Sequence, residues 1–170
     1  MPAVPTFAGG ARLDGLNFLI RPPIAKLRQS TAQAIPALTV TPIMFNLEDV
    51  DTDVDGIGGH STVTNTSRYV ARYPGWYWVG GAVSFANNST GVRVISWAVN
   101  GAMIGGSDVL MNAVSGNTSR LPARTTLVYL AESDYLELRV YHTGGAAGTF
   151  LNTAVTNDEQ PTASISWESS

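Results

Sequence analysis

The stretch PGWYWVGGAVSF, residues 74–85, constrains the fold more than any other part of the chain. Taken two residues at a time it splits into two sets. Tyr77, Val79, Gly81, Val83 and Phe85 fall on one face, and Trp76, Trp78, Gly80, Ala82 and Ser84 on the other. Period two is the signature of a β-strand, whose successive side chains point to opposite sides. One face of such a strand belongs to a core, and the aromatic side chains of the other need cover from elsewhere.

The same reading extends along the chain. IAKLRQS and IPALTVTPIMFNL are short β-type runs, and SRYVARY follows an acidic stretch. VRVISWAV is a strand that ends in Asn100-Gly101, a two-residue hairpin signal. SDVLMNAVSG is a weaker strand, and RTTLVYLA and DYLELRVYH are clear ones joined by the turn ESD. In the last, Leu136, Leu138 and Val140 face one way, and Tyr135, Glu137, Arg139 and Tyr141 the other. A short strand is expected at Thr149–Asn152 within a long loop, and TASISWE closes the chain. Many short strands separated by turn residues, with almost no helix, predict an all-β fold, a jelly-roll β-sandwich. Trp76, Trp78, Tyr135 and Tyr141 all lie on second faces. They are expected at a subunit interface, with scattered surface positions or cover by the N-terminal arm as alternatives.

Residues 1–21 read as an arm in front of a domain over residues 22–170. The arm mixes Pro and Gly with spaced apolar residues, and Pro22-Pro23 ends any helical turn in it. Such an arm cannot form a core alone. Phe7, Leu13, Leu16, Phe18 and Leu19 are its anchoring candidates, set to bury against a larger structure. Charged residues make up only 14% of the chain, which favours a surface partly covered by partners over a lone monomer. A net charge of −3 gives no attraction for a phosphate backbone, so nucleic acid is not an expected partner. With no cysteine there is no thiolate or disulfide chemistry. The N-terminus shows no signal peptide, and no run reaches the length of a membrane helix, so membrane insertion is not expected.

Several segments together resemble the complement/tumour-necrosis-factor jelly-roll superfamily. They are YPGWYWVGGAVSF, NNSTGVRVISWAVNG, LAESDYLELRVYHTGG and the closing ASISWE. Gly75, Tyr77, Val79, Asn100, Gly101, Asp134, Leu136 and Leu138 occupy that family's pattern. Ser133 stands where the family has glycine, so that turn is expected to relax. The chain is also similar to virion structural proteins of bacteriophages that infect actinobacteria. The residues carrying that similarity are Arg21, Pro22, Pro23, Leu27, Arg28 and Gln29, then Phe45, Glu48, Asp51, Thr52 and His60. Gly75, Trp76, Tyr77, Gly91, Arg93 and Trp97 complete them. The resemblance covers roughly residues 20–168 and implies a homotrimer around a threefold axis.

Enzymatic constellations are thin. Ser61, His60 and Asp55 form a triad only on paper, with no G-x-S-x-G elbow behind them. Glu48/Asp49 and Asp158/Glu159 are sequence neighbours in loops, not carboxylates facing each other across a cleft. Gly80-Gly81 reads as close backbone packing within a strand. No enzyme and no cofactor are expected. Asn65-Thr66-Ser67, Asn88-Ser89-Thr90 and Asn117-Thr118-Ser119 match glycosylation sequons, but read better as turn residues. Loops around 87–91, 115–120 and 143–148 are candidates for glycan or receptor recognition.

DVDTDVDGIGGHST, residues 49–62, has the D-x-D-x-D-G order of a calcium loop at Asp51, Asp53, Asp55 and Gly56. A twelve-residue loop starting at Asp51 needs a glutamate at its last position, where Thr62 stands, and its flanks are β-type. The sequence favours a connecting loop between two early strands. A looser calcium site on Asp51, Asp53 and Asp55 is the secondary expectation. Two functions follow. The first is a trimeric capsid decoration protein or head-fibre knob, anchored by its arm to the major capsid protein. The second is a minor tail module, seated on a tail structural protein, whose loops bind a host-surface glycan or protein. Either is assembled in the host cytoplasm and displayed on the virion.

Overall fold

Two antiparallel sheets stack face to face in the computed structural model, which describes residues 22–170. The strands are β1 (Ile24–Arg28), β2 (Ala34–Pro36), β3 (Thr41–Pro42), β4 (Leu47–Thr52), β5 (Arg68–Val70), β6 (Gly75–Phe85) and β7 (Val92–Val99). They continue as β8 (Ala102–Met103), β9 (Val109–Asn112), β10 (Ser119–Leu130), β11 (Tyr135–His142), β12 (Phe150–Asn152) and β13 (Thr162–Ser169). One 3-10 turn, Asn157–Glu159, is the only helical element among the described residues. The first sheet has the order β10-β6-β13-β1-β4. The second runs β3-β11-β7-β8, with β5 also on β11 and β9 also on β7. β12 and β2 form a small ribbon. The anchoring candidates Phe7, Leu13, Leu16, Phe18 and Leu19 lie outside the described residues.

The core is the space between the sheets. β6 sends Tyr77, Val79, Val83 and Phe85 into it, and β11 sends Leu136, Leu138 and Val140 from the other side. Both sets are those assigned inward by period two. Gly81 is needed there, because a Cβ would sit 2.4 Å from the carbonyl oxygen of Thr162. Trp97 on β7 is the largest fully buried side chain. Its indole N–H donates to the carbonyl of Arg124 at 3.0 Å. That carbonyl lies where β10 skips register against β6, between Ala123 and Thr126. A bulge of this kind releases a backbone group from the ladder, and here the released group satisfies the buried indole.

Four local expectations need correction. The RTTLVYLA strand starts earlier, at Ser119, and contains Pro122. Proline is tolerated because β10 is an edge strand, where one row of N–H groups has no partner in the sheet. The run IPALTVTPIMFNL is not one strand. It breaks into β2 and β3 around Leu38, which adopts a φ of 60°. The first part of the acidic stretch is also not loop, because Leu47–Thr52 forms edge strand β4 against β1. The turn at Ser133 does not relax. Serine takes φ 71°, the left-handed conformation that glycine adopts at no steric cost. The Asn100-Gly101 hairpin is as expected, with φ of 50° and 83°.

Candidate functional site: an aromatic sheet face and a cluster of distal loops

The outer surface of the first sheet is built from the positions that alternate with the core. The register places Trp78 beside Leu127 on one side and Ser166 on the other, with Ile24 beyond Ser166. One step along, Trp76 pairs with Tyr129, their rings packed edge to face at 5.5 Å. In the opposite direction the row is Gly80, Ser164, Lys26 and Val50. Small residues therefore make a floor between taller walls. The result is a groove of about 430 Å³ bordered by Ile24, Val50, Trp78 and Thr125, with Gly80 and Ser164 below. Trp76 is 41% exposed, Trp78 45% and Tyr129 51%. Leu127 and Ile24 are also classed as exposed. Ile24, Trp76, Trp78, Leu127 and Tyr129 thus form a contiguous apolar face open to solvent.

The four predicted interface residues do not share this face. Trp76 and Trp78 are on it. Tyr135 and Tyr141 belong to β11, in the other sheet, on the side turned away from the core. Tyr135 already has cover, because the Arg68 guanidinium lies 4.0 Å above its ring. Sequence reasoning missed Leu127 and Tyr129. They lie in the apolar run LVYL, whose outward positions only the pairing with the two tryptophans identifies.

The chain enters this sheet at Pro22-Pro23, next to Ile24, and the Pro23 carbonyl accepts from the Trp167 N–H near the end of β13. At the opposite end, about 35 Å away along the eleven residues of β6, lie the three candidate recognition loops. The 87–91 and 143–148 loops touch each other. Asn88 Nδ2 donates to the Gly144 carbonyl, the Ala113 N–H to the Gly91 carbonyl, and the Thr143 N–H to the Val92 carbonyl. Thr118 Oγ1 bonds to the Glu159 carboxylate. Arg93 clamps this end from inside. Its side chain is fully buried and donates to the carbonyls of Asn88, Thr90 and Val92 at 2.9–3.1 Å. Burial pushes its pKa down, and its partners here are neutral carbonyls and the Asn88 amide. Gly91 is equally structural, because with φ 76° a Cβ there would lie 2.3 Å from the Thr143 oxygen.

The acidic stretch folds as a self-bonded loop. Asp53 Oδ1 accepts the N–H groups of Asp55, Gly56 and Ile57 at 3.1–3.2 Å, and its other oxygen accepts from Arg72 at 2.9 Å. Asp55 meets the Arg72 guanidinium with both oxygens, at 2.6 and 2.7 Å. That contact holds the Asp55 carboxyl well below the usual carboxylate range. Asp51 turns elsewhere, to the N–H groups of Gly59 and His60. Burial raises its pKa, and those two bonds oppose the rise. All three carboxylates are thus taken up by protein donors, and Asp53 and Asp55 share Arg72. Among the described residues no three His, Cys, Asp or Glu side chains are grouped to hold a metal ion. The paper triad is not assembled either. The His60 ring sits between the Glu48 carboxylate and the Thr66 carbonyl, at 2.7 and 3.0 Å, while Ser61 Oγ accepts from the Val63 and Thr64 N–H groups.

No family model matches the sequence, and no curated protein does. Solved structures do match in fold. An Eiger tumour necrosis factor from S. frugiperda aligns with TM-score 0.59 at 14% identity, over 88% of this chain and 94% of that one. Murine APRIL at pH 5.0 aligns with TM-score 0.59 at 11% identity, over 87% and 100%. The globular domain of zebrafish complement 1qA aligns with TM-score 0.52 at 13% identity, over 86% and 96%. The fold is therefore the jelly roll of the tumour-necrosis-factor and complement 1q type.

Proposed function

We propose that this jelly-roll protein is a non-enzymatic structural module of a bacteriophage virion: a homotrimeric decoration protein or head-fibre knob held on the capsid by residues 1–21. The observation that carries the self-association is the exposed row of Ile24, Trp78, Leu127, Trp76 and Tyr129 on one sheet. Aromatic side chains left half in water are the usual anchors of a protein interface. The arm joins the domain at the end opposite the clustered loops, which supports a particle-facing end and an outward-facing end. The phage assignment rests on the residues that resemble virion proteins, of which Gly91, Arg93 and Trp97 all hold structural positions in this fold.

Light scattering at micromolar concentration tests the trimer, and a mass near the 18.0 kDa of one chain would count against it. Deleting residues 1–21 tests the arm. The truncated protein should fold as the wild type does and no longer attach to particles. The distal loop cluster favours a second reading, a tail module that recognises a host surface. Copy number separates the two, because hundreds of chains per particle indicate decoration and a few indicate the tail.

A further inference from the structure

A second surface feature lies apart from both the aromatic face and the distal loops. The segment 58–65 and strand β5 enclose a groove of about 270 Å³. Its charged lining is Arg68 and Arg72, with His60 beside them, and no acidic residue lines it. Ser61, Thr64 and Asn65, with hydroxyl and amide side chains, also line it. Both arginines are fixed from behind. Arg72 is held by Asp53 and Asp55. The Arg68 Nε donates to Glu137 at 3.3 Å, and the guanidinium plane lies on the Tyr135 ring.

The charge around Glu137 is unequal. Its side chain is 4% exposed and serves two guanidinium groups, those of Arg68 and Arg139. Arg139 is more fully engaged, with Nη2 on Glu137 and Nη1 on the Gly101 carbonyl. One positive charge in this trio is uncompensated, and Arg68 is the more exposed carrier, at 37% against 19%. Among the described residues the two Nη nitrogens of Arg68 have no hydrogen-bond partner, while Nε and the ring below fix their direction. A pre-oriented guanidinium fork with free donors matches a planar carboxylate.

We propose that this groove binds a carboxylate carried on a polyhydroxylated body, the chemistry of an acidic sugar, with Arg68 receiving the carboxylate and Thr64 and Asn65 meeting the hydroxyl groups. Carboxylates already stand behind both arginines, so recognition rests on hydrogen-bond geometry more than on long-range attraction. Affinity is accordingly modest and selective for the fork.

Saturation-transfer NMR on the full chain, with D-glucuronate as the probe, tests this directly. Transfer to glucuronate is expected, with at least tenfold weaker binding for Arg68→Gln and also for Arg68→Lys, which keeps the charge and loses the fork. Thr64→Val, on an exposed loop position, is expected to weaken binding severalfold without disturbing the fold. No transfer at tens of millimolar glucuronate overturns the proposal. Equal transfer to glucose, or acetate binding as tightly as glucuronate, overturns the acidic-sugar assignment. Unchanged binding by Arg68→Lys overturns the role of the fork. The assay uses the isolated protein, so failure here leaves the virion reading untouched.

Discussion

Replacing Trp78 by threonine separates self-association from folding. Threonine, like tryptophan, is a residue that suits a strand, and Trp78 points out of the core. A tryptophan side chain presents up to about 250 Å². With 45% of Trp78 exposed, about 110 Å² is left for a partner to cover, worth about 3 kcal/mol at ~25 cal/mol per Å². Threonine recovers part of this. The expected loss is about 2 kcal/mol per contact, roughly a thirtyfold weaker association constant. Sedimentation velocity across a dilution series reads that shift, and thermal melting at a concentration where both proteins are monomeric reads the fold. Val63→Thr, at an 84% exposed position on a different surface, serves as the control and should behave as wild type. If Trp78→Thr associates as tightly as wild type while its fold is intact, the aromatic face is not the contact surface and the reasoning from exposure fails.

Other consequences can be measured independently. Arg93→Met removes the clamp beneath the distal loops, and amide exchange at residues 88–92 should speed up about tenfold or more while the β6 and β11 amides stay protected. Unchanged exchange would show that the loop is held by other means. Asp55 is held below its unfolded value by Arg72. Its contribution to stability is therefore present above about pH 4 and is lost as pH falls through the folded value. Asp51, raised by burial, has the opposite sign, because its ionised form is the disfavoured one in the fold. Asp55→Asn should accordingly flatten the acid limb of the stability curve, and an unchanged limb would remove Asp55 from the account. Millimolar calcium should leave the melting temperature in place, since Asp53 and Asp55 are already engaged by Arg72. A rise would mean that the loop gives up Arg72 to take an ion.

How much of this was legible beforehand depended on whether a residue's partner was near in sequence or pattern. β6 and β11 were readable because each sends every second residue into the core, and those positions carry apolar side chains, Tyr77, Val79, Val83 and Phe85 in one and Leu136, Leu138 and Val140 in the other. β4 was not readable. It is an edge strand of half-buried and exposed residues, with no apolar alternation to separate LEDVDT from a loop. Pro122 concealed the first half of β10, because the rule against proline in strands relaxes only at an edge, and edges are set by tertiary structure. Leu127 and Tyr129 were hidden in an apolar run with no polar side to orient it. The Arg68–Glu137–Arg139 group joins residues 69 apart in the chain, so nothing local announces it. The acidic loop misled in the opposite direction. Asp at alternate positions is what an ion requires, and also what a loop needs when its carboxylates accept its own N–H groups and an arginine.

Arg93 grips the loop before it through the carbonyl oxygens of Asn88, Thr90 and Val92. Carbonyl oxygens are common to all twenty amino acids. Apart from Asn88, whose amide shares the grip, and Gly91, whose conformation has no substitute, the loop owes its shape to no particular side chain. Ser89 and Thr90 can therefore change identity without loosening the scaffold that presents them. The residues that hold this loop lie inside and the replaceable ones at its tip, so the tip can vary while the fold stays constant.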